Sequence, residues 1–274
     1  MTLAGAAAGA MAAEYWLLAA AASVCAGLVG AFALMRRVSL AGDAISHIAL
    51  PGLGIAYLLH FDPLLGAAAT LVAGALLIWR AGALANVDME TAVGVIFVSA
   101  LAVGALLTPN TEMLEALFGS TQAMTWAEIG GGLLLAAVMI GALIRYKDPF
   151  TVTLFFPDLA ASCGLDPARF DLAFLLLFAG AVLLSLHFLG ALLAGALIII
   201  PAAIARQLTH GLARFLVASS IASLLALVLG TFAAQALAWA AGPTVVALAA
   251  LLFVVAVAYG RRRRTAIAMR AGRG

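Results

Sequence analysis

Two side chains of complementary chemistry stand four residues apart in GDAISHIALPGLG: Asp43 and His47, with Ser46 beside the histidine. On a helix, residues at i and i+4 share a face. A carboxylate and an imidazole converging there can ligate a divalent transition ion, and ionised Asp with neutral His are the protonation states a metal requires. Two ligands do not close a four-coordinate shell, so other groups or water must complete it. The same residues have plainer uses. Asp43 after Gly42 has the form of an N-cap, and His47 can donate to a backbone carbonyl in a packed bundle. Spacing alone does not choose between these uses.

Other titratable groups carry weaker signals. His187 precedes Phe188-Leu189-Gly190 at the end of an apolar run and is a second candidate for lining a path, whereas His60 and His210 fall between runs and read as solvated. Glu112 and Glu115 fall between two runs and Glu128 at the start of the second, on the side expected outside, where carboxylates either raise the local cation concentration at an entrance or are simply solvated. Cys25 and Cys163 lie in different kinds of segment and suggest no disulfide framework. Lys147 is the only lysine, flanked by Tyr146 and Asp148, so no Gly-x-x-x-x-Gly-Lys-Ser/Thr loop exists. If ATP drives this protein, another chain binds it. A His-Glu-x-x-His motif is also missing, which argues against a metal-dependent intramembrane protease.

The elements that must position these residues follow from composition. Of 274 residues, 66% are hydrophobic and 9% charged, and the mean hydropathy is +1.19. Soluble domains carry about 45–50% apolar and about 25% charged residues, so a cytosolic enzyme, a secreted domain and a disordered chain are excluded. The net charge of +2 gives no sign of nucleic-acid binding. The segment before Trp16 has no Lys or Arg and lacks the charged region of a secretory signal. The apolar runs are continuous, without period-2 alternation, which predicts helices rather than a barrel. A span needs about 20 apolar residues. Nine runs qualify, at 15–35, 43–60, 63–79, 90–107, 126–145, 169–187, 189–206, 213–236 and 243–260. The expected fold is an all-α polytopic membrane helix bundle of eight or nine transmembrane helices, one domain over 1–274. The pair 169–206 is the ambiguous element, either two short spans or a re-entrant pair.

Charge tests the count. With the N-terminus outside, the inner segments hold Arg36 and Arg37, Arg80, Arg145 with Lys147 and Arg169, Arg206 with Arg214, and the arginines of the tail 261–274, which together are all fourteen basic residues. Glu14, Asp62, Glu112, Glu115 and Glu128 fall outside. This is the positive-inside pattern of a plasma-membrane protein with a cytoplasmic C-terminus. Arg206 and the run Arg261–Arg264 read as orientation signals and anionic-lipid contacts. Asp62-Pro63 and Asp166-Pro167 have the form of an N-cap followed by Pro at the first helical position, and Gly242-Pro243 opens the last run. Pro51 and Pro201 fall inside runs and should kink or interrupt them. The spacings Gly66-Thr70-Gly74 and Gly190-xxx-Ala194 place small residues on one face, where helices can approach closely.

One stretch, 148–171, is too polar to span and is the longest inner connection. Within it PDLAASCGL reads as a short helix, started by Pro157-Asp158 and stopped by Gly164. Leu159 and Cys163 share a face, with Phe155 and Phe156 just before. Such a helix can lie in the lipid interface or dock in a groove on a cytoplasmic partner. Interfacial helices usually carry a basic polar face, and Asp158 is the only charge here, which favours the partner.

GDAISHIALPGLGIAYLL (42–59) resembles the hallmark of the ABC-3 family, the permeases of bacterial zinc, manganese and iron ABC importers. The resemblance continues in order through ETAVGVIFVSALAVGALL (90–107), LFGS (117–120), FPDLAASCGL (156–165), GALLAGALIIIPAAIARQL (190–208) and AGPTVVALAALLF (241–253). The last departs from the family's PSG-like pattern near that point. The resemblance implies a transport subunit that is not itself an enzyme and holds no permanent cofactor. It implies a homodimer or paired permease, two cytoplasmic ABC ATPase subunits, and an extracytoplasmic solute-binding protein that delivers a zinc, manganese or iron ion. It places the ion contacts on Asp43 and His47. It places the coupling helix at 156–165, with Pro157, Asp158, Leu159, Ala160, Cys163 and Gly164. A proton-coupled secondary metal carrier is the alternative.

Overall fold

The structure is a computed structural model that describes residues 3–38, 44–84, 88–108, 117 and 124–271. Among these there is no strand. Helix α1 is Leu3–Met35, α2 Ala49–Leu59, α3 Pro63–Leu84, α4 Met89–Leu107 and α5 Trp126–Arg145. Two short helices follow, α6 Lys147–Phe155 and α7 Pro157–Ser162, and then α8 Pro167–Leu208, α9 Leu212–Leu237 and α10 Ala241–Ala271. Seven helices are long and apolar enough to cross a membrane, and two further apolar helices, Ala44–Leu59 and Leu193–Leu208, are shorter. Over their described residues the nine expected runs are largely helical, but two fall below the length of an ordinary span, so seven helices rather than eight or nine meet it.

Local sequence sets the ends. Asp62 accepts from the Leu64 N–H at 2.8 Å and Asp166 from the Ala168 N–H at 3.0 Å, so both predicted Asp-Pro caps form. Thr125 and Glu128 make a reciprocal capping box on α5, with the Thr125 N–H donating to Glu128 Oε2 at 2.6 Å. Glu128 therefore has a structural use that its outer position alone did not reveal. Alanine, the best helix former, carries α1 back to Leu3, well before the expected start at 15. Arginine also favours helix, and α10 runs on to Ala271 through the tail expected to lie outside the bundle.

The expected breaks fall unevenly. The helix holding His47 is interrupted by a turn at Ile48, just before Pro51, which offers no N–H to the carbonyl of His47 four residues back. Pro201 interrupts nothing: the non-helical residue in α8 is Gly190, with φ 73° and ψ 174°. That conformation is essentially reserved to glycine. The chain doubles back there. Arg36 binds Asp171 near the start of α8, and neighbouring Arg37 shares a cavity with Arg206 near its end. Both ends of α8 thus lie at one end of the molecule, and 167–189 and 191–208 are antiparallel limbs.

Helix α1 is the hub. Within its membrane window 72% of residues are buried, against 22% in α4 and in α5. It packs chiefly on α8 and α9. At Gly27 a Cβ would lie 2.6 Å from the Ser220 Cα of α9. The Ser219 hydroxyl donates to the Gly27 carbonyl at 2.6 Å. The predicted small face Gly66-Thr70-Gly74 on α3 is the seat of α2: Gly52 and Gly66 abut backbone to backbone, and Gly74 meets Ile48. Helix α4 covers the other side of α2, where Leu50 lies over Gly104.

Candidate metal site and the arginine-bearing end

The helical turn Ala44–His47 carries the first candidate. His47 is 7% exposed, and its neighbours Ile45, Ser46 and Ile48 are buried as well. The imidazole faces α4, with its ring centre 5.5 Å from that of Phe97 and the planes inclined by 43°. The turn at Ile48 separates this segment from the rest of α2, which α3 and α4 clamp through Gly52–Gly66 and Leu50–Gly104. His47 is thus a buried imidazole on a short piece of helix, held by close packing immediately after it. Asp43 and Gly42 lie outside the described residues, as do Glu112 and Glu115, residues 118–120, and the side chain of His187. Among the described residues, no group of three or more His, Cys, Asp or Glu side chains gathers as a metal cluster. His60 caps α2 in the left-handed conformation and is exposed, as is His210.

The opposite chemistry collects at the end of the bundle where α1 and α3 finish. Arg36 and Asp171 form an ion pair of 2.7 Å, and the Arg36 guanidinium lies 4.5 Å over the ring of Phe174. The Trp79 indole N–H on α3 donates to the Ala168 carbonyl at 2.8 Å, tying α3 to the first turn of α8. Phe150 of α6 is buried between α1 and α8, 5.8 Å from the ring of Phe32 and 5.1 Å from that of Phe170.

The expected short helix is present as α7, and it ends as predicted. Gly164 adopts φ +78°, the Leu165 N–H donates to the Ala160 carbonyl at 2.9 Å, and the Gly164 N–H donates to the Ala161 carbonyl at 3.1 Å. These two bonds make a Schellman stop. Pro157, Asp158, Leu159, Cys163 and Gly164 are exposed and Ala160 is buried, so α7 rests on one alanine and presents its other residues outward. Phe155 and Phe156 are exposed beside it. Sequence reading missed α6, because Pro149 and the β-branched Thr151, Val152 and Thr153 argue against helix. Both threonines instead return their hydroxyls to carbonyls four residues back, at 2.7 and 3.0 Å. It also missed Phe97 and the pair Arg36–Asp171, whose partners are far apart in the chain and carry no local signature.

A family model described as the ABC 3 transport family matches residues 10–260. The manganese import system permease protein ScaB of Streptococcus parasanguinis is 30% identical over 256 residues, covering 90% of each chain. The chelated iron transport system membrane protein YfeD of Yersinia pestis is 30% identical over 86% of this chain and 80% of its own length. Among solved structures, PsaBC from Streptococcus pneumoniae in complex with Fab superposes with a TM-score of 0.78 at 27% identity, over 90% of each chain. A charge-poor bundle crossing the membrane several times, matched along almost its whole length in sequence and in space, belongs to the ABC 3 transport family.

Proposed function

We propose that this chain is the membrane permease of an ATP-driven importer of divalent metal ions, with manganese or iron as cargo. The observation that carries the reading is the match to ScaB over 90% of both chains, with YfeD adding iron. The Asp43–His47 pair suits either ion, and imidazole with carboxylate also accepts zinc. Two cytoplasmic ATPase subunits drive the permease, a solute-binding protein delivers the ion from outside, and a second permease chain completes the path. The arginine-bearing end faces the cytoplasm, as the positive-inside rule requires.

In this reading His47, with Asp43 four residues before it in sequence, gives the dehydrated ion a transient resting point. Two protein ligands per chain hold it loosely enough for release. The exposed face of α7, with Phe155, Phe156 and Leu159, docks in a groove on the ATPase subunit. Movement of that subunit passes through α6 into α1 and α8, and the bundle alternates between outward- and inward-open states.

The test is metal uptake into proteoliposomes holding the permease with its ATPase subunits. Asp43→Ala and His47→Ala together abolish uptake while leaving the amount of folded protein unchanged. Normal uptake by the double variant removes the site. Uptake that persists without the ATPase subunits and collapses with the proton gradient makes the chain a secondary carrier instead.

A further inference from the structure

At the arginine-bearing end, a cavity of about 380 Å³ opens between the last turn of α1, helix α6, the end of α8 and the start of α9. Its lining divides by chemistry. Met35, Phe155, Leu212 and Phe215 give apolar walls, while Arg37, Arg206, Thr151 and Thr209 give cations and hydroxyls. Among the described residues no carboxylate lines it. The inner-end cations Arg36, Lys147 and Arg169 are each paired with an aspartate. Among the described residues, Arg37, Arg80, Arg145, Arg206 and Arg214 make no such pair, and of these Arg37 and Arg206 share a cavity.

The surroundings add to the positive potential. Helix α9 begins at Gly211, with φ +90° and no side-chain cap, so its first N–H groups open beside the arginines. Gly260 packs against Gln207, which brings α10 and its exposed Arg261 and Arg262 to the end of α8. Arg37 itself stands at φ +60°. It holds the left-handed position of a Schellman stop on α1, where the Val38 N–H donates to the Ala33 carbonyl at 3.2 Å. Glycine is the usual occupant of such a position. Here an arginine holds it and reaches the cavity.

A pocket with apolar walls and a cationic mouth, at the level where a bundle meets lipid headgroups, has the chemistry of a phospholipid site. The phosphate meets the guanidiniums, and the glycerol and upper acyl carbons meet Met35, Leu212 and Phe215. We propose that Arg37 and Arg206 bind the phosphate of an anionic phospholipid in this cavity, joining α1, α6, α8 and α9. The site is independent of which metal is carried.

Native mass spectrometry of the complete transporter, extracted from membranes containing phosphatidylglycerol, tests this. The wild type retains phosphatidylglycerol. The Arg37→Gln/Arg206→Gln variant retains it about thirty-fold less tightly, because each basic residue near an anionic surface contributes about 1 kcal/mol and 1.4 kcal/mol is tenfold. Arg37→Lys/Arg206→Lys keeps part of the binding and shows that the fold survives. Arg80→Gln, at the same end but outside the cavity, retains the lipid fully. Equal loss in Arg80→Gln, or full retention in the double Gln variant, overturns the proposal. So does displacement of the lipid by millimolar inorganic phosphate, which would mark a site for a free anion. Lipid that binds the isolated permease but is missing from the complete transporter overturns it as well, since an acidic side chain of the ATPase subunit would then fill the cavity.

Discussion

Arg36 at the end of α1 and Asp171 in the first turns of α8 meet at 2.7 Å, with the arginine side chain 7% exposed and the aspartate 39%. The ring of Phe174 covers the guanidinium from one side. The pair joins the most buried helix of the bundle to the helix that follows α6 and α7 in the chain. If α7 docks on the ATPase subunit as proposed, the pair sits where its motion would enter the membrane domain.

Removing only the acid should be worse than removing both partners. Asp171→Ala leaves a buried guanidinium uncompensated, and half-exposure of the aspartate holds the expected loss to about 2 kcal/mol. Arg36→Met/Asp171→Leu should recover most of that loss. Thermal unfolding of the purified permease in one detergent checks the order, and equal melting of the two variants would show that the pair is screened by solvent.

Phe150 is the wedge between Phe32 and Phe170. Phe150→Ala should lower stability by about 3 kcal/mol through the cavity it leaves. In the complete transporter it should also weaken the stimulation of ATP hydrolysis by metal-loaded binding protein, with the ATPase subunits still bound. Phe150→Leu fills most of the volume and should keep stimulation. Subunit loss in Phe150→Ala would assign the ring to assembly instead.

At Gly190 the backbone has φ 73° and ψ 174°. A Cβ there is strained whatever the surrounding space, so Gly190→Ala should lose about 1–3 kcal/mol. Pro201→Ala, where the helix is uninterrupted, should be nearly neutral. Folded yield and melting temperature of the two variants give the comparison.

Gly52 and Gly66 touch through their backbones where α2 crosses α3. Gly52→Val would force the helices apart and should cost about 1–3 kcal/mol by overpacking. Because α2 follows directly on His47, metal uptake should fall further than the folded amount does. Gly94→Ala, with open space around it, is the control. Uptake that merely tracks folded amount would uncouple the crossing from the site.

Much of this architecture is carried by short-range signals. Continuous apolar runs set the helices, the Asp62 and Asp166 caps and the Gly164 stop set their ends, and the arginines mark one face. Each works within a few residues, through backbone hydrogen bonding or transfer of side chains into an apolar phase. His47 was legible as a polar group in an apolar run, and the structure buries it beside Phe97, while Asp43 lies outside the described residues.

What the tertiary structure decided depends on contacts between distant segments. A break at Pro201 was expected from the residue type, yet helix persists there; the turn between the runs 169–187 and 189–206 was expected, and the structure places it on Gly190, whose φ of 73° and ψ of 174° suit glycine. Arg36 finds Asp171, His47 finds Phe97, and Arg37 comes to one cavity with Arg206 only when α1, α4, α6 and α8 are assembled. In a chain so rich in leucine and alanine, local periodicity says that helices form, while shape at the glycine crossings and a few buried polar pairs say which helices are neighbours.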